Sequence, residues 1–304
     1  MQRRHIHGIL LLDKPAGMTS NGALQRVKRL FNAKKAGHTG SLDPIATGML
    51  PLCFGEATKF SQFLLESSKS YRVVARLGIQ TTTGDSEGEI VATRPLINVT
   101  ASRIQQVMNA FMGVIEQIPP MYSAIKYQGK PLYELARQGI EIDRKPRRVT
   151  IYSLTLEEWA HDHFTFRVHC SKGTYVRTLV EDIGHQLGCG GHVTELRSTM
   201  VQPYGDAMMY TLSALEVITQ TAGQDGLLAC LLPAETAVSV FPAVQLSTSA
   251  AFYLRMGQPV RVTFPIESSL VRLVLEDGRF LGMGEVMLDG RVKPHRLLAT
   301  HPCL

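Results

Sequence analysis

Gly37-His38-Thr39-Gly40-Ser41-Leu42-Asp43-Pro44-Ile45-Ala46-Thr47-Gly48-Met49-Leu50 is the stretch around which the chain is organised. Glycines, small hydroxyl residues and one proline surround Asp43, the only ionisable carboxylate between Thr39 and Phe54. Glycine lets a backbone approach a ligand closely. Pro44 lacks an amide donor and biases Asp43 toward extended geometry. Two readings of Asp43 follow. In one it is an N-cap, with Pro44 at the first helical position and a helix over Ile45–Leu52. In the other it is a carboxylate nucleophile or general base set beside backbone amides.

Toward the N-terminus, Gly8-Ile-Leu-Leu-Leu-Asp-Lys-Pro reads as a buried strand ending at Pro15. Thr19 or Ser20 can cap a helix over Asn21–Phe31 with an apolar stripe of Leu24, Val27, Leu30 and Phe31. Its other face carries Arg26, Lys28 and Arg29, and Lys34-Lys35 leads into the Asp43 loop, which sets cations near the acid.

On the C-terminal side, Ala57–Leu65 continues helically and Ser70–Gly78 alternates with period two, as a strand does. Tyr71 at its start is either a half-buried strand aromatic or a side chain in a cleft mouth. Thr81–Gly88 reads as a polar turn into a strand at Glu89–Thr93, and residues 100–113 as an amphipathic helix. Residues 117–148 change character. Tyr122, Lys126, Tyr127, Lys130 and Tyr133 interleave aromatics with cations, the composition of a loop that stacks bases and neutralises phosphates.

Val149–Glu157 and Phe164–Ser171 alternate and pair as antiparallel strands. From Ser171 a turn leads into a helix with Val176, Leu179, Val180, Ile183 and Leu187 on one face. Arg177 and Glu181 have the spacing of a helix-surface ion pair. Yet Arg177 sits in the first turn, where the helix dipole disfavours a cation. That points to another partner, and Asp43 is the candidate. Beyond Glu195–Thr199 an uncharged-to-acidic linker extends to about Pro242. Val260–Phe264, Leu270–Leu275 and Phe280–Val286 then read as strands of a small β-barrel.

The chain has 304 residues, 44% of them hydrophobic and 19% charged, with a net charge of +6. The distribution is uneven: residues 1–40 carry +7, residues 121–150 carry +4, and residues 198–254 carry −4 with no Lys or Arg. One basic face meeting a polyanion fits this pattern. Five scattered cysteines without a C-x-x-C favour a reducing compartment over disulfides or zinc. His161-Asp162-His163 reads as a surface turn rather than a metal site. The first apolar run ends after four residues, so no signal peptide or membrane span is expected, and the expected location is the cytoplasm.

Together Leu12-Asp13-Lys14-Pro15-x-Gly17-x-Thr19-Ser20, the stretch from Gly37 to Gly48, Lys69-Ser70-Tyr71 and Lys172-Gly173-Thr174-Tyr175-x-Arg177 resemble the bacterial tRNA pseudouridine-55 synthase (TruB) family. The resemblance implies an α+β fold: a mixed, mainly antiparallel sheet with flanking helices in a catalytic domain over 1–242, with an RNA-gripping insertion at about 117–148. A PUA-like RNA-binding β-barrel would follow over 243–304. It further implies that Asp43 is the nucleophile and that Tyr71 packs on the flipped uracil and is a general-base candidate. Arg177 would pair with the aspartate, Tyr175 and Leu196 would line the base pocket, and His38 would stabilise the rearranged RNA loop. Lys126 and Lys130 would bind RNA through the insertion. One departure is Ser198, where the family often has a second arginine, so one RNA-binding cation is expected to be missing.

The implied reaction turns uridine 55 of the tRNA T loop into pseudouridine, with no cofactor, no metal and no protein partner, on a monomer. A single carboxylate suits it, as in the nucleophile half of retaining glycosidase chemistry. No phosphate-binding glycine motif of an ATP or dinucleotide enzyme is present. The alternative is a non-catalytic tRNA-binding or tRNA-folding protein in which Asp43 is only a cap. An RNA methyltransferase lacks any nucleotide-binding glycine motif to support it.

Overall fold

The computed structural model describes residues 2–262 and 268–299. Strand β1 (Gly8–Lys14) is followed by α1 (Ser20–Leu30), capped by Thr19, whose side chain accepts from the Gly22 amide. A short β2 (Ala36–His38) precedes the Asp43 loop, and β3 (Thr47–Phe54) follows it.

No helix opens at Pro44. Strand β3 pairs antiparallel with β1 and parallel with β12 (Gly191–Val201), so both its edges are paired, and both its faces are buried. Leu50, Leu52 and Phe54 enter one core and Met49 and Cys53 another. A strand buried on both sides carries a continuous apolar run without alternation, which from sequence alone looks like a helix. Asp43 is therefore no helix cap.

A 3₁₀ turn at Gly55–Phe60 and α2 (Ser61–Glu66) lead into β4 (Lys69–Leu77). β5 (Ile79–Thr81) and β6 (Ile90–Thr93) form a hairpin around the polar turn. α3 (Ala101–Asn109) is shorter than expected, because the chain turns at Gly113 (φ +89°) into edge strand β7 (Gly113–Gln117). In the insertion, β8 (Lys126–Tyr127) and β9 (Lys130–Pro131) make a minimal hairpin before α4 (Leu132–Ala136).

Long strands β10 (Arg147–Ala160) and β11 (His163–Cys170) turn at His161-Asp162, with Asp162 bonded to Arg76 and His163. α5 (Val176–Gln186) packs Leu179, Val180 and Ile183 under the sheet. The main sheet runs β13 (Tyr210–Thr211), β1, β3, β12, β4, β11, β10, β7, with β2 paired to β3. Only the β1–β13 and β3–β12 pairings are parallel, so the fold is α+β with a mixed, mainly antiparallel sheet.

Residues 200–242 are no linker. They hold the end of β12, β13 and α6 (Leu212–Ala229), which packs Leu212, Leu215 and Leu227 against α1 and β1.

A second sheet of five strands follows, in the order β14 (Ala243–Leu246), β16 (Leu270–Leu275), β17 (Phe280–Val286), β18 (Arg291–Leu297), β15 (Val260–Arg261). It wraps its own core with α7 (Thr248–Arg255). The expected strand at 260–264 is seen at Val260–Arg261, and 263–264 lie outside the described residues, as does Cys303. Phe280 and Met283 dock this sheet beneath β1 and β3, with Phe280 and Phe60 rings 5.4 Å apart.

Candidate active site

The Asp43 loop crosses the carboxyl end of β1, where three elements hold it. Ser20 at the start of α1 accepts from the Leu42 amide (2.8 Å) and donates to the Leu42 carbonyl (3.2 Å). Lys14 is fully buried, and its ammonium donates to the carbonyls of Pro15, Met18 and Pro44. Burial lowers its pKa to about 8, against the opposing pull of Asp43 and Glu87. Gly48 sits at φ +96°, and a Cβ there would lie 2.1 Å from the Ser198 carbonyl oxygen, so only glycine lets β3 run this close to β12.

Arg177, 5% exposed, projects from the first turn of α5 onto Asp43. Its Nε stands 2.9 Å from Oδ2 and its Nη2 3.3 Å from Oδ1. The same guanidinium donates to the carbonyls of Thr83 (2.6 Å) and Tyr122 (2.8 Å) and faces Asp85 at 3.6 Å. The cation disfavoured by its own helix is thus satisfied by four partners outside it. The alternative ion pair with Glu181 is not formed. Burial instead pushes the Glu181 carboxyl up to about 7. The Asp43 carboxyl is also raised, by burial first, while Arg177 pulls it back and Asp85 adds to the rise.

Asp43, Tyr71, Tyr175, Arg177 and Leu196 line one cavity of about 260 Å³. That is below the roughly 300–1,000 Å³ of clefts that take drug-sized ligands, and suits a single nucleobase with its sugar. Burial, with the charge of Asp43 behind it, raises the Tyr71 phenol well above its ordinary range. Tyr71 presents its ring and its hydroxyl to this cavity. Ser198 lines the same cavity, 1% exposed, and donates to the Met49 carbonyl.

The cavity adjoins a cleft of about 1,060 Å³, lined among others by His38, Asp85, Glu87, Tyr122, Lys126 and Arg137. His38 thus stands in the cleft beside Asp43 rather than in the base-sized cavity, and burial lowers its pKa. Lys126 reaches the cleft wall, whereas Lys130 is exposed on the hairpin away from it. Lys34 and Lys35 line neither space. The cations beside Asp43 are Arg177 and Lys14 instead.

Sequence reasoning missed Asp85. It is 3% exposed, and its Oδ1 takes the Thr83 hydroxyl (2.5 Å) and the Glu87 amide (3.1 Å). An acid between Gly84 and Gly88 has the composition of any surface turn, so no local signal separates it. Among the described residues no group of three or more His, Cys, Asp or Glu could hold a metal ion, and no helix is long and apolar enough to cross a membrane.

Three family models match consecutive parts of the chain. TruB family pseudouridylate synthase (N-terminal domain) matches residues 28–176, and tRNA pseudouridylate synthase B C-terminal domain matches 177–239. Pseudouridine synthase II TruB, C-terminal, matches 242–298. A tRNA pseudouridine synthase B of Coxiella burnetii is 56% identical over 296 residues, covering 97% of this chain and 96% of the relative. One of Salmonella typhimurium is 50% identical over 306 residues, covering 98% and 97%. Among solved structures, a chain of a Cbf5-Nop10-Gar1 complex superposes with a TM-score of 0.75 at 27% identity, covering 96% of this chain and 85% of that one.

Proposed function

The chain belongs to the TruB family of pseudouridylate synthases, and from that premise we propose that it isomerises uridine 55 in the T loop of tRNA with Asp43 as the reacting carboxylate. The observation that carries this reading is the Arg177–Asp43 pair at the wall of a base-sized cavity that also holds Tyr71.

In the reaction the N1–C1′ bond breaks, the base turns, C5 bonds to C1′, and the C5 proton leaves as N1 gains one. Atoms and electrons balance without oxidant or group donor. An ionised Asp43 can attack C1′ or assist departure of the base as a glycal forms. Either route needs the charge that Arg177 stabilises against burial. The uridine must leave its stack, which costs a few kcal/mol. The Tyr71 ring and the Leu196 side chain offer apolar cover for the extruded base. Tyr71 packs on the base, and its hydroxyl is the general-base candidate.

The basic insertion suits the phosphates of the folded T arm, and recognition by loop shape fits an RNA target. On this reading the enzyme meets tRNA in the cytoplasm, acts as a monomer without a protein partner, and divides into a catalytic domain over 1–242 and a PUA-like RNA-binding domain over 243–304. A tRNA-binding protein without turnover is the competing reading, and the same assay separates them. Tritium release from [5-³H]uridine-labelled tRNA by wild type but not by Asp43→Asn, with no cofactor added, is the expected result. Release by both would move the chemistry away from Asp43. Release by neither, with tRNA still bound, would leave a binding protein.

A further inference from the structure

Gln117 ends β7 with its side chain 2% exposed, and its amide is spent wholly on one residue of another element. Oε1 accepts from the Tyr175 amide at 3.0 Å, and Nε2 donates to the Tyr175 carbonyl at 3.3 Å. The side chain thus copies one rung of a sheet against the main chain at position 175. Tyr175 is the N-cap of α5, and its own side chain makes no capping bond there. Its carbonyl also accepts the first bond of the helix, from the Leu179 amide at 3.0 Å. Helix starts need outside partners to fix their unsatisfied backbone groups, and here a glutamine from a distant strand supplies one. Two residues on stands Arg177. Five residues past Gln117, the Tyr122 carbonyl accepts from Arg177 Nη2. Residues 117 and 122 therefore hold the backbone that launches Arg177 and the guanidinium that meets Asp43.

We propose that Gln117 is a positioning residue for the isomerisation: its amide locks the Tyr175 main chain and so fixes the grip of Arg177 on Asp43. This rests on the reading of Asp43 as the reacting carboxylate. Gln117 itself does not line the cavity that the reaction needs, and it acts through Tyr175 and Arg177.

The test uses the full-length protein with Gln117→Leu, which keeps bulk and loses both bonds, and Gln117→Glu. Single-turnover tritium release, tRNA binding and thermal melting are read together, beside a ¹³C NMR titration of the Asp43 carboxyl. For Gln117→Leu the expected result is a rate lowered about tenfold or more, with tRNA affinity within about threefold and a cooperative melt. In Gln117→Glu the ionised carboxylate still accepts from the Tyr175 amide but faces the carbonyl without a proton to give. Its rate relative to wild type should rise as pH falls and the carboxyl regains a donor. A Gln117→Leu rate within about twofold of wild type would overturn the proposal. So would a loss that follows melting or binding alone, or a Gln117→Glu ratio flat with pH. If Gln117→Leu does not fold, the Gln117→Glu ratio decides. If wild type itself releases no tritium, the functional reading fails instead, and the NMR titration still tests the positioning. A loosened Arg177 should then let Asp43 titrate at higher pH in Gln117→Leu, and coincident curves would refute it.

Discussion

Arg177 meets Asp43 with two nitrogens, at 2.9 and 3.3 Å, while the same guanidinium donates to the carbonyls of Thr83 and Tyr122 and faces Asp85. The pair is lopsided: the guanidinium is 5% exposed, whereas the carboxylate side chain is 34% exposed and opens onto the cavity. A cation anchored this firmly cannot follow the acid outward, so Asp43 keeps its charge at a fixed point where a ligand can reach it.

That geometry makes a lysine a poor replacement, because an ammonium cannot span both carboxylate oxygens and two carbonyls at once. Arg177→Lys should lower single-turnover isomerisation about 10²-fold or more and leave tRNA binding within about tenfold. A rate within about threefold of wild type would remove Arg177 from the chemistry.

The Asp43 carboxyl is raised by burial, with Asp85 adding and Arg177 opposing. A raised acid takes up its proton at higher pH than free aspartate, so the ionised form is lost as pH falls through the raised value. The pH–rate profile should therefore show an acid limb above the ordinary aspartate range, and Arg177→Met should shift that limb further up. An acid limb at the free-aspartate value would contradict the assignment.

Gly48→Ala should cost stability on the order of 2–4 kcal/mol, since its φ of +96° and a Cβ 2.1 Å from the Ser198 carbonyl both oppose a side chain. Gly37→Ala, whose Cβ would meet nothing within 4 Å, should stay within about 0.5 kcal/mol. Urea unfolding of the two variants side by side checks the contrast, and equal midpoints would show that β3 can move away from β12.

Lys126 and Lys130 are exposed and form no ion pair among the described residues. Changing both to glutamate should weaken tRNA binding. The slope of log affinity against log salt should fall by about 0.7–0.9 for each phosphate the protein no longer neutralises. An unchanged slope would mean that the insertion grips RNA by other means.

Sequence reasoning reached the elements whose periodicity is local. The capped helix over Ser20–Leu30, the alternating strand Lys69–Leu77 and the helix that carries Arg177 each bury one face, and one buried face writes a readable pattern. Strand β3 was illegible for the opposite reason, because neighbours cover both its faces and erase the alternation. Helix α6 hid because only Leu212, Leu215 and Leu227 of its 18 residues are buried, too few to write a clear apolar stripe.

By itself the sequence singled out the candidates for the site: a lone acid in a glycine-rich loop, an arginine placed against its own helix dipole, and a basic aromatic insertion. Tertiary structure alone decided how they act together. It brought Asp85 and Thr83 from a polar turn onto the far side of Arg177, and Gln117 from an edge strand onto the N-cap of α5. These pairings join positions 58 to 94 residues apart. At that range a pairing depends on which strands lie side by side in the sheet, and no window of local sequence records that order.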